Sequence, residues 1–253
     1  MNLLEVRNLS KSFGGIQAVH NVSFAISPGQ IYSVIGPNGA GKTTLFNLIT
    51  GIYLPTAGEI FLNGSKIDGQ PPHRLAGLGI SRTFQNLQIF MNMSAIENVM
   101  VGAHLRLDRN ILKASLRLPA LRRRDKILRE EAAELMAFVG LEACVTQAAD
   151  SLAYGALKRL EIARALASKP RLLFLDEPAA GLNPAETQGV QELMQKVAAA
   201  GITVVLVEHD MKLVMNLSNR ILVLDYGKKL TEGTAEEVCR NPDVIAAYLG
   251  VHG

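Results

Sequence analysis

Tryptophan is absent from this sequence, and cysteine occurs only at Cys144 and Cys239. Those two form neither a Cys-x-x-Cys pair nor a disulfide framework. Both are expected to be free thiols in a reducing compartment. No set of Cys and His residues has the spacing of a structural metal site. Neither sign of charge dominates: 26 Lys and Arg face 23 Asp and Glu, for a net +3. That excess is too small to argue for nucleic acid. No apolar run approaches the roughly 18 residues that span a bilayer. The opening MNLLEVRNLSKSFGG lacks a basic start, an apolar block and a cleavage site. The chain is therefore expected to be neither exported by that route nor embedded in a membrane, although it can dock onto a membrane partner. Internal repeats and low-complexity tracts are also missing. What is present is 48% hydrophobic and 19% charged residues in 253 positions. That is a folding chain with a sizeable core, read as one large domain or a domain carrying an insert.

The first third reads as strands and turns around one helix. Leu3 to Asn8 alternates, Gln30 to Gly36 is an apolar run ending in glycine, and Gly58 to Gly64 and Leu78 to Phe84 are further strand candidates. A helix is predicted from near Gly41 to about Gly51. From Asn86 to Leu166 the pattern is helical, with Leu128, Ala132, Leu135, Met136 and Val139 at helical spacing and Gly140 as a stop. The stretch Leu105 to Arg129 is rich in arginine. It reads first as a solvated face, and otherwise as a surface turned to a membrane partner or anionic headgroups. It contains no aromatic residue, so it lacks a stacking platform for nucleic acid. Strand and helix then alternate again. Leu172 to Asp176, Ile202 to Val207 and Ile221 to Asp225 are strands. Pro184 to Ala200 is a helix, and Thr234 with Glu237 forms a capping box. The prediction is an α/β core split by a helical insert of about 80 residues, too short for a long coiled-coil arm.

The strongest motif is GPNGAGKTT, formed by Gly36, Pro37, Asn38, Gly39, Ala40, Gly41, Lys42, Thr43 and Thr44. An apolar strand precedes it and a helix follows, as a phosphate-binding loop requires. The glycines let backbone N–H groups turn toward phosphate oxygens, and the new helix adds its positive end. Lys42 supplies charge to the β and γ phosphates, Thr43 a hydroxyl for Mg²⁺, and Thr44 a donor near the α-phosphate. The magnesium also needs a carboxylate. Asp176, at the end of a buried-looking strand, is placed to hold it through a water. Glu177 follows and is expected to point elsewhere because side chains alternate along a strand. It can then orient or deprotonate an attacking water, which implies hydrolysis. His209, just past another strand, can donate to the γ-phosphate. His20, His73, His104 and His252 have no such placement. Phe13 by its pattern alone reads as a core residue.

Taken together, these blocks resemble the nucleotide-binding subunits of ABC transporters along essentially the whole chain. The resemblance implies the ABC ATPase fold: a P-loop NTPase core with a mixed sheet in residues 1–85 and 167–253, and an all-helical subdomain in 86–166. GPNGAGKTT corresponds to Walker A and RLLFLDEP to Walker B, with Glu177 as the catalytic glutamate. Gln85, in SRTFQNL, matches the Q-loop glutamine that contacts Mg²⁺. His209 matches the switch histidine, and Phe13 the aromatic that stacks on adenine. The cofactors implied are ATP and Mg²⁺.

The signature departs from the usual Leu-Ser-Gly-Gly-Gln. Here it reads Leu152-Ala153-Tyr154-Gly155-Ala156. Ala153 has no hydroxyl, so its contact to nucleotide must come from backbone amides at the helix start. Asn183 replaces the usual D-loop aspartate and can bond across a dimer or cap the next helix. The Leu-Ala-Tyr-Gly form, EPAAGLNP, VEHDMKLVM and NPDVIAAYLG are similar to the branched-chain amino acid importer subgroup. That subgroup usually has Gln-Gln where this chain has Ala156-Leu157. The pair either weakens dimer closure or lets Leu157 pack on a neighbouring element. The resemblance implies a second ATPase subunit (the same chain or a paralogue), two membrane permease subunits beside Gln85 to Asn98, and indirectly an extracytoplasmic solute-binding protein. No nucleic acid partner is implied. The expected place is the cytoplasmic face of the inner membrane. Importers of urea, short amides or aromatic acids are the alternatives, followed by a soluble chromatin or repair ATPase. A phosphotransferase would need an acceptor pocket in place of Glu177 and His209. A dead nucleotide site disagrees with intact Lys42, Thr43, Asp176 and Glu177.

Overall fold

The computed structural model describes residues 2–83, 85–106 and 119–249. Strands β1 (Leu4–Phe13) and β2 (Ile16–Ile26) make an antiparallel hairpin. β1 runs past the Leu3 to Asn8 segment expected from alternation, and β2 has no counterpart among the expected strands. Asn8 and Asn21 explain both differences, with φ of 48° and 50°. They sit where the pairing register shifts, and such bulges break the two-residue period on which the reading depends. Next come β3 (Ile31–Ile35), α1 (Lys42–Ile49), β4 (Ala57–Leu62), β5 (Ser65–Lys66), α2 (Pro72–Gly77) and β6 (Ile80–Arg82). The first third thus holds two helices where one was expected. Helix α2 has six residues, too few to show a helical period, and begins with proline where the missing N–H is harmless.

Among the described residues, three helices dominate the middle: α3 (Ala95–Gly102), α4 (Pro119–Phe138) and α5 (Tyr154–Leu166). Leu128, Ala132 and Met136 of α4 are buried, as is Val139 just beyond it, and Gly140 ends the run at φ 72°. Positions 107–118 of the arginine-rich stretch lie outside the described residues. The chain continues with β7 (Leu172–Asp176), α6 (Pro184–Ala199), β8 (Thr203–Val207), α7 (Met211–Leu217), β9 (Arg220–Asp225), β10 (Lys228–Gly233), α8 (Ala235–Cys239) and α9 (Pro242–Leu249). Thr234 and Glu237 form the capping box at α8, and the Asn241 side chain accepts from Asp243 N at 2.9 Å at the start of α9.

The strands sort into two sheets, β2-β1-β4-β5 and β10-β9-β3-β8-β7-β6. In the second, β9, β3, β8, β7 and β6 run parallel, and β10 is an antiparallel edge. Every residue of β3, β7 and β8 is buried, as expected for strands covered on both faces. Along β7, Leu172 and Phe174 enter a core shared with β1, β2 and α1. Leu173 and Leu175 enter another, shared with α3 to α6. A third core joins Ile35 to α7, β9, α8 and α9 through Val214, Val223, Val238 and Val244. Because the central strands are parallel, their C-terminal ends share one edge, and Gly36, Asp176 and the segment after Val207 meet there. Among the described residues, no helix is long and apolar enough to cross a membrane.

Candidate active site

The chain leaves β3 at Gly36 with φ 150°, where a Cβ would lie 2.1 Å from the Leu224 carbonyl oxygen. At Gly41, φ is 97° and a Cβ would lie 2.5 Å from the Ala18 carbonyl oxygen. Only glycine fits either place. The arch between them is closed by Ala40 N donating to the Pro37 carbonyl at 3.1 Å. Asn38, Gly39 and Thr43 are exposed, Ala40 is buried and Thr44 is half-buried. The Lys42 ammonium folds over the loop and donates to the carbonyls of Gly36 at 2.7 Å and Pro37 at 2.9 Å. Burial pulls the Lys42 pKa below its ordinary value, and the charges of Glu177 and Asp176 oppose that pull.

Asp176 ends β7 and is buried. Arg82, at the end of the neighbouring strand β6, donates to it at 2.9 Å, and both side chains are less than a tenth exposed. Glu177 lies one residue past the strand. Its direction is not set by strand alternation, as the sequence reading assumed, but by a left-handed backbone turn at φ 49°. One of its carboxylate oxygens accepts from Gln85 Nε2 at 3.3 Å, and the other is 3.8 Å from His209 Nδ1. His209 is largely exposed, while Glu208 beside it is buried and accepts from Ala179 N at 2.9 Å. Burial raises the Glu208 pKa. Thus Lys42, Asp176, Glu177, Gln85 and His209 converge on one edge of the parallel sheet.

Phe13 is not the core residue its pattern suggested. It is 41% exposed, edge-on to Tyr53 at 5.2 Å between centroids, with Lys11 Nζ 4.9 Å over the ring. The signature segment packs elsewhere. Ala153 is the N-cap of α5, and Tyr154 is exposed and lies over Gly181. Gly155 is pressed on Glu186, whose carboxylate oxygen would be 2.5 Å from a Cβ there. Asn183 caps α6, with Oδ1 accepting from Glu186 N at 3.0 Å, so its capping role is realised within the chain. Ala156 and Leu157 are buried in the core of α3 to α6. Sequence reasoning missed Arg82 and Glu208. Their partners, Asp176 and Ala179, are distant in sequence, and no spacing signals such pairs.

The donor set fits nucleotide and magnesium. Gly36, Gly39 and Gly41 all take positive φ and lead into the N-terminus of α1, the backbone form and helix end that suit a phosphate. A hydroxyl and a carboxylate are the hard oxygen donors that magnesium prefers.

The fold and this edge define a P-loop ATPase with an inserted helical unit. The family model described as "ABC transporter" matches residues 19–180, and one for branched-chain amino acid ATP-binding cassette transporters matches residues 228–253. The chain is 48% identical over 249 residues to the high-affinity branched-chain amino acid transport ATP-binding protein BraF of Pseudomonas aeruginosa, covering 98% of each. It is 45% identical to LivG of Escherichia coli K12, a protein of the same description, again covering 98% of each. A crystal structure of a nucleotide-free ATP-binding cassette from an ABC transporter superposes with a TM-score of 0.86 at 29% identity, covering 98% of this chain and 99% of that one. The chain belongs to the ABC transporter family, as an ATP-hydrolysing subunit close to the BraF and LivG group.

Proposed function

We propose that this subunit powers uptake of leucine, isoleucine and valine. The observation that carries the catalytic reading is the meeting of Lys42, Asp176, Glu177, Gln85 and His209 at one sheet edge. In this reading the loop Gly36 to Thr44 holds the ATP phosphates, and Lys42 swings from the loop carbonyls onto the β and γ oxygens. Thr43, Gln85 and Asp176 would hold magnesium, which when bound would neutralise phosphate charge. Glu177 takes a proton from the attacking water. His209 and Gln85, both reaching Glu177, hold its carboxylate in place and register the γ-phosphate. Phe13 offers an exposed ring to adenine. Ala153, Tyr154 and Gly155 start a helix whose exposed N-terminal edge suits the nucleotide on a second subunit, with Asn183 bracing the adjoining turn. Two subunits then close head to tail around two ATPs.

A groove of about 390 Å³ between α1, α2 and β6 on one side and α3 and α5 on the other supports docking of a permease subunit. Exposed Phe90 and Ile52 line it. In this reading the subunit works at the cytoplasmic face of the inner membrane, under two permeases fed by a solute-binding protein. The substrate assignment rests on the C-terminal match and on the names of the relatives. Uptake of radiolabelled leucine, valine, urea and acetamide in a host strain with and without this gene tests it. Loss of leucine and valine uptake alone is expected. Loss of urea or amide uptake instead would move the subunit to that importer class.

A further inference from the structure

Arg82 has been given no role above, yet it links Asp176 to α1, the helix that follows the phosphate loop. Its Nη2 donates to Asp176 Oδ2 at 2.9 Å. Its Nη1 donates to Asn47 Oδ1 at 2.6 Å and Thr50 Oγ1 at 3.0 Å, both at the C-terminal end of the phosphate-loop helix α1. The guanidinium also stands 5.8 Å over the ring of Phe46 on α1. β6 pairs in register with β7, Arg82 opposite Phe174, and the chain runs on from Arg82 toward Gln85. A planar guanidinium presents its donors in a fixed fork, so a residue anchored on α1 by one nitrogen fixes whatever the other nitrogen holds. What it holds is one oxygen of Asp176.

We propose that Arg82 is a positioning residue for the metal-binding carboxylate. It locks Asp176 to the helix that begins with Lys42 and Thr43, so that Thr43 and Asp176, two of the three groups assigned to magnesium, keep one spacing. The proposal rests on the metal role assigned to Asp176 above. Groups that orient a metal ligand are commonly worth about 10–100-fold in metal affinity, and that is the effect expected here.

The test titrates magnesium into purified subunit with a fluorescent ATP analogue, and follows analogue binding in wild type, Arg82→Met, Arg82→Lys and Asp176→Asn. Binding of the analogue in EDTA is expected to stay near wild type in Arg82→Met, since the loop is untouched. The magnesium concentration at half-effect should rise about 10–100-fold. Arg82→Lys keeps one charge but cannot grip Asn47, Thr50 and Asp176 together, so it should fall between the two. An Arg82→Met protein that loses thermal stability yet keeps the wild-type magnesium half-point would overturn the proposal and leave Arg82 a structural ion pair. If Arg82→Met does not fold, an unshifted half-point in Arg82→Lys overturns it equally. A half-point unmoved in Asp176→Asn would remove the metal role of Asp176 itself. A shift in Asp176→Asn but not in either Arg82 variant would sink this proposal alone.

Discussion

Glu177 carries an unusual backbone for a glutamate, and its chemistry depends on that turn. At φ 49° a non-glycine residue bears a modest steric cost, and glutamine bears the same one. Glu177→Gln should therefore fold as the wild type does. An amide cannot accept the proton of an attacking water, so turnover should drop about 10²–10⁴-fold while nucleotide affinity is kept. Phosphate release alongside nucleotide titration measures both, and equal turnover in the two proteins would dismiss Glu177 as the base. At this scale the motif positions 36–44, 176 and 177 were legible, because each is set by its immediate neighbours in sequence. Arg82 and Glu208 were not, because their hydrogen-bond partners lie on other strands and loops.

The helices carry the consequences of the unusual signature. Leu157 of α5 is 8% exposed and part of the core with α3 and α4. Leu157→Ala should cost roughly 2–5 kcal/mol, read as a lower denaturant midpoint. A change within error would mean that Leu157 does not hold the helices together. A second feature ties α4 to the end of α5. Glu131 accepts from both Arg106 nitrogens, at 2.6 and 3.0 Å, and from Lys169 at 2.8 Å. Hydrogen bonds from Arg106, then from Lys169, hold its pKa near 2 against an ordinary 4.5. A depressed carboxylate stabilises the fold fully above its unfolded value and loses that contribution as pH falls from about 4.5 toward 2. The pair is partly exposed, so about 1 kcal/mol is at stake. Glu131→Gln should flatten the stability–pH curve in that window, as followed by chemical denaturation. An unchanged slope would show that Glu131 gains nothing from its two cations. The period of α4 was visible in Leu128, Ala132 and Met136, whereas six-residue α2 carried no period to see.

In the whole molecule, the signature segment packs on Gly181 and Glu186 and so turns its exposed edge, Ala153 and Tyr154, outward. That arrangement suits a composite site completed by a second subunit. In a Glu177→Gln background, where hydrolysis cannot reopen the pair, MgATP should convert monomer to dimer in sedimentation, and ADP should not. Monomer at every MgATP concentration would count against closure between two copies and toward a paralogue as partner.

Local spacing alone determined the phosphate loop, the buried central strands and the amphipathic helices. Each is a pattern of residues within a few positions of one another, where backbone geometry and solvent exposure repeat with a fixed period. Tertiary structure decided what those patterns became. It bent β1 and β2 at Asn8 and Asn21, turned the backbone left-handed at Glu177, and left Phe13 on the surface. It also brought Arg82 to Asp176 and buried Ala156 and Leu157. Those outcomes depend on which strands lie side by side and which faces meet, and burial of apolar surface across the whole chain selects them.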